Sequence, residues 1–317
     1  MKMNFTESIL SATEMVMDND KNSVLFGLGV NDDRGLQGTT KDLFLKFGEN
    51  RVFDTPIAED AMMGFAVGSA LSGVRTIYNH ARSDFLLLTF NQLFNVATKY
   101  KYMFNGAYSV PLIIRCLVGY GWGAQHSQVL SSVLSSFPGI SVVCPSNPYD
   151  AKGLFIEASK YKSPVIFMED FQLYSTSADV PEENYYVKFD EVEKVCEGDE
   201  LTIVAISSAV LAVKEFLSNE NNYSIDALLL KSSTDIDYDT IAKSIKKTKK
   251  LLFIQNSWMP HGLGANILRE LQLRRISFTY DELGFPFTPT PYSPFLEKEY
   301  YINKKRIENK IKNLLIK

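Results

Sequence analysis

The sequence predicts an α/β fold with parallel sheets, arranged in two domains. Apolar, β-branched runs such as SVLFGLGV (23–30), RTIYNHA (75–81) and VPLIIRCLV (110–118) alternate with helical patterns along almost the whole chain. Strands of this kind, separated by amphipathic connections, are typical of parallel sheets covered by helices on both faces. The length of 317 residues and the hydrophobic content of 45% indicate a globular protein larger than one average domain.

The remaining elements continue this alternation. The other predicted strands are ISVVCPS (140–146), PVIFMED (164–170), LTIVAIS (201–207), YSIDALLL (223–230), KLLFIQ (250–255) and RISFTY (275–280). The predicted helices are FTESILSATEMVMDN, EDAMMGFAVGSALSG, FLLLTFNQLFNVATKYKYMF, YDAKGLFIEASKYK and a final charged helix from about Leu296. A polar, acid-rich stretch near 180–198 interrupts the pattern, so we place the domain boundary there, with domains 1–185 and 186–317.

Charge and cysteine content exclude several classes of protein. The net charge is −4 and the basic residues are dispersed, which argues against a nucleic-acid or membrane-surface partner. The three cysteines are far apart, which favours a reducing compartment over a disulfide framework. The N-terminal stretch has no signal-type apolar core, and the longest apolar run, AMMGFAVGSALSGV, is too short to span a bilayer. We therefore expect a soluble cytoplasmic protein.

The stretch DTPIAEDAMMGFAVGSALSG (54–73) contains one acidic pair at the start of an apolar helix. The helix is expected to begin at about Ala58, which places Glu59 in its first turn. An acid there is favoured by the positive helix end, so Glu59 is either an ordinary helix-start acid or a catalytic group. Gly64, Gly68 and Ser72 leave one helix face nearly free of side chains, which indicates tight internal or subunit packing.

Two further stretches carry candidate functional side chains. The glycine-rich turn VGYGWGAQHSQ (118–128) follows a strand, and ligands bind at that end of the strands in open α/β sheets. We expect His126 at the junction with the next helix, where it is either a hydrogen-bonding loop residue or a catalytic one. Phe85 enters a long amphipathic helix, a position that usually belongs to the core. P-loop, GxSxG, HExxH and paired metal-ligand acids are absent, so no metal site is assigned to this chain.

Read in order, the motifs resemble those of the beta subunit of thiamine-diphosphate-dependent 2-oxo acid dehydrogenases, whose members act on pyruvate, branched-chain 2-oxo acids and acetoin. The motifs are KFGENRVFDTPIAEDAMMGFAVGSALSGVRTI, SDFLLLTFNQLFNVATKYKYMFNG, GAQHSQ, FPGISVVCPSNPYDAKGLF, PVIFMED, SWMPHGLGANILREL and TPTPYSPFLE. They are collinear and span nearly the whole chain. The resemblance implies a transketolase-like pyrimidine-binding domain with a mostly parallel sheet, followed by a transketolase-type C-terminal α/β domain.

The resemblance also implies roles for single residues. The family's glutamate at the position of Glu59 hydrogen-bonds a ring nitrogen of the cofactor's aminopyrimidine, which favours the imino tautomer that activates the cofactor. Ile57 and Phe85 match positions that bind the cofactor, and an aromatic ring packs well against the flat aminopyrimidine. His126 matches a histidine near the substrate carboxylate, where an imidazole can balance the anion or move a proton.

The family's motif for magnesium and diphosphate is missing from this chain. In two-chain members the alpha subunit supplies it as GDG followed by an asparagine. The resemblance therefore implies thiamine diphosphate and magnesium as cofactors, with the magnesium ligands on an alpha subunit. It also implies an α2β2 heterotetramer with cofactors between the chains, and a beta chain that is inactive alone.

Several departures from the family leave the substrate open. The loop before His126 is short, and His80 and Arg82 stand where family members carry mostly apolar residues. With Gln125 they form a candidate substrate pocket, in which a basic group could bind a carboxylate, a phosphate or a sugar hydroxyl. Asn266 replaces a glutamate that is usual in the family.

Three functions remain open for this chain: oxidative decarboxylation with transfer to a lipoyl acyltransferase, a free-standing carbon–carbon ligase, or a non-catalytic scaffold.

Overall fold

The computed structural model describes residues 1–219 and 223–316. Its strands are β1 (Lys2–Asn4), β2 (Ser23–Gly27), β3 (Val52–Phe53), β4 (Arg75–His80), β5 (Leu112–Val118), β6 (Ser141–Val143), β7 (Val165–Asp170), β8 (Ser177–Asp179), β9 (Glu193–Cys196), β10 (Leu201–Ile206), β11 (Ile225–Leu230), β12 (Lys250–Trp258) and β13 (Thr279–Phe285). Its α-helices are α1 (Phe5–Asn19), α2 (Leu43–Phe47), α3 (Glu59–Leu71), α4 (Thr98–Met103), α5 (Ser131–Leu134), α6 (Pro148–Ala158), α7 (Ala209–Ser218), α8 (Tyr238–Thr248), α9 (Leu263–Leu273), α10 (Pro294–Tyr300) and α11 (Lys304–Ile316).

The first sheet is six-stranded and parallel, in the order β3-β2-β4-β5-β7-β6. Every residue of β5 is buried, as expected for a strand covered by helices on both faces. The carboxyl ends of β2, β4 and β5 lie side by side, at Gly27, His80 and Val118. This edge carries the loops with the candidate functional side chains.

The second sheet has the order β13-β12-β10-β11-β9 and is parallel except for β9, which pairs antiparallel with β11. Together the sheets confirm the predicted α/β class with mostly parallel pairing. A hydrophobic core continues from one sheet to the other, and the backbone bonds Cys144 N–Lys231 O (2.8 Å) and Ser233 N–Val142 O (2.9 Å) join them. The first sheet ends at Asp170 and the second begins at Glu193, while the boundary at 185/186 stays a prediction.

Helix α3 places Glu59 and Asp60 in its first turn, as expected, with Ala58 as the N-cap residue. Its buried side chains are Met63, Ala66, Val67 and Ala70. The opposite face is open, since a Cβ atom at Gly68 would meet no atom within 4 Å. The expected close contact at Gly68 is therefore not internal to the part of the chain described here.

Several predicted elements are wrong in detail. The long helix after Asp84 is a 3-10 helix (Ser83–Thr89), a π-helix (Asn91–Ala97) and α4 in succession. The final helix is divided into α10 and α11, and β13 begins later than the predicted RISFTY strand. The short strands β1, β3, β8 and β9 were not predicted, because two to four residues are too few to show a period. Among the residues described, no helix combines the length and apolarity needed to cross a membrane.

Candidate active site

The loop 119–128 leaves the carboxyl end of β5 and folds back on itself. A Cβ atom at Gly119 would lie 1.7 Å from the carbonyl oxygen of His126 and 2.4 Å from the Trp122 ring, so only glycine fits. A hydrogen bond from the Trp122 backbone N–H to Ser127 Oγ, at 3.0 Å, holds the loop in this folded-back conformation. His126 lies in this turn and not at a helix start, since α5 begins only at Ser131.

The loop is held against the segment that follows β4. Asp84 Oδ1 accepts hydrogen bonds from both the backbone and the side-chain amide of Gln128, each at 3.1 Å. Ser83 Oγ donates to the Gln128 carbonyl at 3.0 Å. Burial raises the pKa of the Asp84 carboxyl, while the bonds from Gln128 and the nearby His126 oppose the shift. Two segments that are more than forty residues apart are thereby locked together at the sheet edge.

Phe85 and His126 are in direct contact. Their ring centroids are 5.7 Å apart with an interplanar angle of 76°, an edge-to-face arrangement that is favourable for aromatic rings. Both line an open cavity of about 440 Å³ together with Asp84, Gln125 and Gln128. Phe85 is 36% exposed although it is a large apolar side chain. Phe85 thus departs from the usual core position of an aromatic in an amphipathic helix, and the cofactor-binding role that the resemblance implies stays a prediction.

A second cavity of about 880 Å³ shares Gln125 and His126 with the first. Its wall also includes Arg82, Trp122, residues 292–294 and Glu297. The Arg82 guanidinium carbon lies 4.0 Å from the centre of the Trp122 ring, in cation–π geometry. The structure thus brings Arg82 and Gln125 to the same cavity as His126.

His80 does not line either cavity. It is 2% exposed, and its ring packs edge-to-face on Tyr78 with centroids 5.5 Å apart. Burial lowers the pKa of His80 to about 4, and the Phe85 backbone opposes this only in part. Neither ring nitrogen has a hydrogen-bond partner of good geometry among the described residues. The expectation that His80 belongs to the substrate pocket is corrected, because β4 turns this side chain into the interior.

Glu59 is partly buried at the start of α3 and lies close to Tyr78. Burial raises the pKa of Tyr78, and the charge of Glu59 raises it further. Ile57 precedes the helix and is 80% exposed. Neither Glu59 nor Ile57 is among the residues that line the two cavities around His126. Helix α3 nevertheless packs against the 3-10 helix that carries Phe85.

Sequence reasoning missed Trp122 and Tyr292 as parts of the site. Both line the larger cavity, and a Cβ atom at Gly123 would lie 2.6 Å from the Tyr292 ring. Tyr301 donates to Glu297 Oε1 at 2.9 Å and accepts from the Gly121 N–H at 3.2 Å, which ties α10 to the loop. The rarity of tryptophan, with two in the chain, was the available signal.

The side chains near this sheet edge are of the types that bind the aromatic part of a cofactor. Exposed apolar side chains (Ile57 and Phe85) accompany a partly buried carboxylate (Glu59) and a loop imidazole (His126). Exposed apolar groups of this kind favour a flat apolar surface from outside the chain. Within the described residues, no group of three or more His, Cys, Asp or Glu is placed to hold a metal ion. Side chains of these types are able to contact an aromatic ring and to move protons, and a metal with its phosphate would need other ligands.

The fold and this sheet-edge site define a transketolase-like protein of two α/β units. Residues 1–176 match the family described as the transketolase pyrimidine-binding domain, and residues 190–307 match the transketolase C-terminal domain. A solved structure entitled "Split gene transketolase, inactive beta4 tetramer" superposes with a TM-score of 0.81 over 99% of both chains, at 18% identity. The predicted fold is confirmed.

Curated relatives define the family more closely. The "Pyruvate dehydrogenase E1 component subunit beta" of Porphyra purpurea is 34% identical over 98% of this chain and 96% of its own. The "Acetoin:2,6-dichlorophenolindophenol oxidoreductase subunit beta" of Cupriavidus necator is 34% identical over 94% of this chain and 93% of its own. The chain belongs to the family of beta subunits of thiamine-diphosphate-dependent 2-oxo acid dehydrogenases, which confirms the resemblance found in the sequence.

Proposed function

We propose that this chain is the beta half of a thiamine-diphosphate-dependent enzyme that decarboxylates a 2-oxo acid. The observation that carries the proposal is the contact between Phe85 and His126 in an open cavity, beside the helix that Glu59 begins. These are the three positions that the family resemblance assigns to cofactor and substrate. Bound thiamine diphosphate would supply the carbon nucleophile and electron sink that the loss of carbon dioxide requires.

Each of the chain's own residues has a physical task in this proposal. The Glu59 carboxyl would share a proton with a weakly basic ring nitrogen, an exchange that is favoured once a partner covers the site and excludes water. Phe85 and Ile57 would pack on the aminopyrimidine. His126 would stand by the substrate carboxylate and hold or deliver a proton as that charge disappears.

An alpha subunit would complete the site. We propose that it carries the GDG motif and the magnesium ligands, and that two copies of each chain form an α2β2 tetramer. The relatives' names identify them as beta subunits, which supports a partner chain. Exposed apolar side chains near the site, namely Ile57, Phe65, Leu87 and Leu88, give a surface for a second chain to cover.

The acyl acceptor separates the two enzymatic alternatives. The names of the relatives support oxidative decarboxylation, with transfer to a lipoyl acyltransferase as the leading case. Arg82 in the cavity beside His126 favours the second case, a ligase that adds the acyl unit to an aldehyde or ketone. The intact set of Glu59, Phe85 and His126 argues against a non-catalytic scaffold. We further propose a cytoplasmic location, which the free thiols of Cys116, Cys144 and Cys196 support.

Affinity purification of the tagged chain from its native cell, followed by mass spectrometry of the bound proteins, tests the proposal. An alpha chain with a GDG motif together with a lipoyl acyltransferase supports the dehydrogenase. The alpha chain alone supports the ligase. If no alpha chain is recovered, and the purified chain releases no carbon dioxide from any 2-oxo acid with thiamine diphosphate and magnesium, the proposal is wrong.

A further inference from the structure

Arg82 is a charged residue on the wall of the 880 Å³ cavity for which decarboxylation alone gives no task. Its guanidinium lies on the Trp122 ring, and that ring in turn packs on Phe171 with centroids 4.8 Å apart. Stacking fixes the plane of the guanidinium while leaving the N–H groups along its edge available. The side chain is therefore oriented before any ligand arrives.

Arg82 has a charged neighbour in Asp84. Burial lowers the pKa of the guanidinium, and Asp84 raises this pKa less strongly. Nη1 of Arg82 is buried and has no hydrogen-bond partner among the described residues. Oδ1 of Asp84 accepts from Gln128 and Oε1 of Glu297 accepts from Tyr301, while Oδ2 of Asp84 has no hydrogen-bond partner among the described residues. A cation that lines an open cavity and is not ion-paired within the described part of the chain favours an anionic ligand.

We propose that Arg82 is a specificity-determining residue that binds a second anionic group of the substrate, a carboxylate or a phosphate. This inference rests on the proposed function and narrows its substrate class. His126 and Arg82 line one cavity, so a molecule that reacts beside His126 can reach the guanidinium with its other end. The planar fork of arginine matches the two oxygens of a carboxylate or phosphate, and such charge-assisted pairs are strong.

The anionic group that Arg82 binds belongs to one of two substrates. One is a dicarboxylic 2-oxo acid that donates the acyl unit. The other is a phosphorylated aldehyde or ketone that accepts it. The Glu297 carboxylate on the same cavity wall disfavours an anion near itself, so the oxyanion belongs on the Arg82 side, beside Gln125.

Matched substrates test the inference on the complex with its alpha subunit. In the donor arm, carbon dioxide release is compared for 2-oxoglutarate and 2-oxopentanoate, which share a chain length and differ in the terminal carboxylate. In the acceptor arm, glyceraldehyde 3-phosphate is compared with glyceraldehyde, with pyruvate as donor. We expect the charged probe of one arm to be preferred in kcat/KM by roughly 10- to 100-fold, the range for a charge-assisted hydrogen bond. The arm that shows the preference identifies the substrate.

Variants tie that preference to Arg82. In Arg82→Gln the ratio between charged and neutral probes should fall close to one, and Arg82→Lys should retain part of it. Arg269→Gln, which removes an exposed arginine of α9, is the control and should keep the full ratio. Equal kcat/KM values for charged and neutral probes in both arms, or a preference that survives Arg82→Gln, overturn the inference.

A measurement of anion binding tests the role of Arg82 even if the proposed function is wrong. If the complex releases no carbon dioxide from any 2-oxo acid, the proposed function fails, while Arg82 can still be examined by calorimetry. Glutarate and glyceraldehyde 3-phosphate are then titrated into the wild-type complex and into Arg82→Gln. A tenfold or greater loss of affinity for either probe supports the anion site. Equal affinities in the two proteins for both probes overturn it.

Discussion

The Phe85 ring meets the His126 imidazole edge-to-face, with centroids 5.7 Å apart, at the mouth of an open cavity. Phe85 lies in the 3-10 helix after β4 and His126 in the loop after β5, at the carboxyl edge of one sheet. Asp84, next to Phe85, accepts two hydrogen bonds from Gln128, two residues after His126. The contact between the rings is therefore supported by a fixed backbone arrangement, and Phe85 can both orient the imidazole and face a cofactor.

Replacing Phe85 by alanine is expected to weaken turnover and cofactor binding together. Loss of the ring pair alone should lower kcat by roughly 2- to 10-fold, because such a pair contributes about 0.5–1.5 kcal/mol. Phe85→Tyr keeps the ring and should retain most of the activity. The measurement is carbon dioxide release against thiamine diphosphate concentration, for Phe85→Ala, His126→Ala and the double variant. If the two single effects simply add in the double variant, the rings do not act as a unit.

Glu59→Gln tests whether the acid of the first turn is catalytic or a helix-start group. We expect cofactor-dependent carbon dioxide release to fall by about 100-fold or more, which is the size of a lost proton-transfer group. The matched control is Asp60→Asn, since Asp60 is exposed in the same helical turn. Loss of a helix-start charge would cost both variants a similar, small amount of stability. Near-normal turnover of Glu59→Gln in a folded complex would remove Glu59 from the site.

Sequence reasoning located the longer strands and the first turn of α3, because hydrophobic runs and an acid shortly after Pro56 are local signals, although several strand ends were misplaced. It failed for His80. In a parallel strand that is buried on both faces, other elements cover the side chains on either face. The hydrophobic pattern of such a strand therefore does not show which side chain reaches a cavity. His80 and Arg82 looked equivalent in sequence, yet one is internal and the other lines the cavity.

The part of the larger cavity that Trp122 and Tyr292 line could not be predicted from the sequence, for a different reason. Trp122 and Tyr292 line one cavity only because the C-terminal segment packs over the loop 119–128, and no periodicity links residues that far apart. The change from 3-10 to π-helix after Asp84 is equally invisible, since the apolar spacing there also fits an ordinary helix. Tertiary packing decides both features.

Gly119→Ala is expected to disrupt the loop that carries His126. The added Cβ would lie 1.7 Å from the His126 carbonyl oxygen, so the loop must move, at a cost of about 1–3 kcal/mol or more. Gly121→Ala is the matched control, because a Cβ there meets no atom within 4 Å and only its φ of +77° adds strain, about 1–2 kcal/mol. Activity and melting temperature are measured for both variants. A Gly119→Ala enzyme as active as Gly121→Ala would contradict the loop geometry.

Asp170→Asn should make stability less dependent on pH. Asp170 is 2% exposed where β7 ends, and it accepts hydrogen bonds from Ser208 Oγ and from the Gln172 backbone. Burial raises the pKa of Asp170 from 3.8 to about 6, although these bonds oppose the shift. The folded chain therefore keeps the proton where the unfolded chain has lost it. This contribution to the free energy of unfolding is fully present below about pH 4 and is lost as the pH rises through 6.

Because asparagine does not ionise, the variant avoids the cost of a buried charge at neutral pH. The side-chain carbonyl oxygen of the new asparagine can accept from Ser208 Oγ, as the carboxyl group of Asp170 does. The melting temperature of Asp170→Asn minus that of the wild type should increase between about pH 4 and pH 7.5, by an amount that reflects on the order of 2–3 kcal/mol at most. Asp33→Asn, at an exposed position, is the control and should show a flat difference. A difference for Asp170→Asn that is equally flat with pH would show that this carboxyl is not protonated in the folded chain.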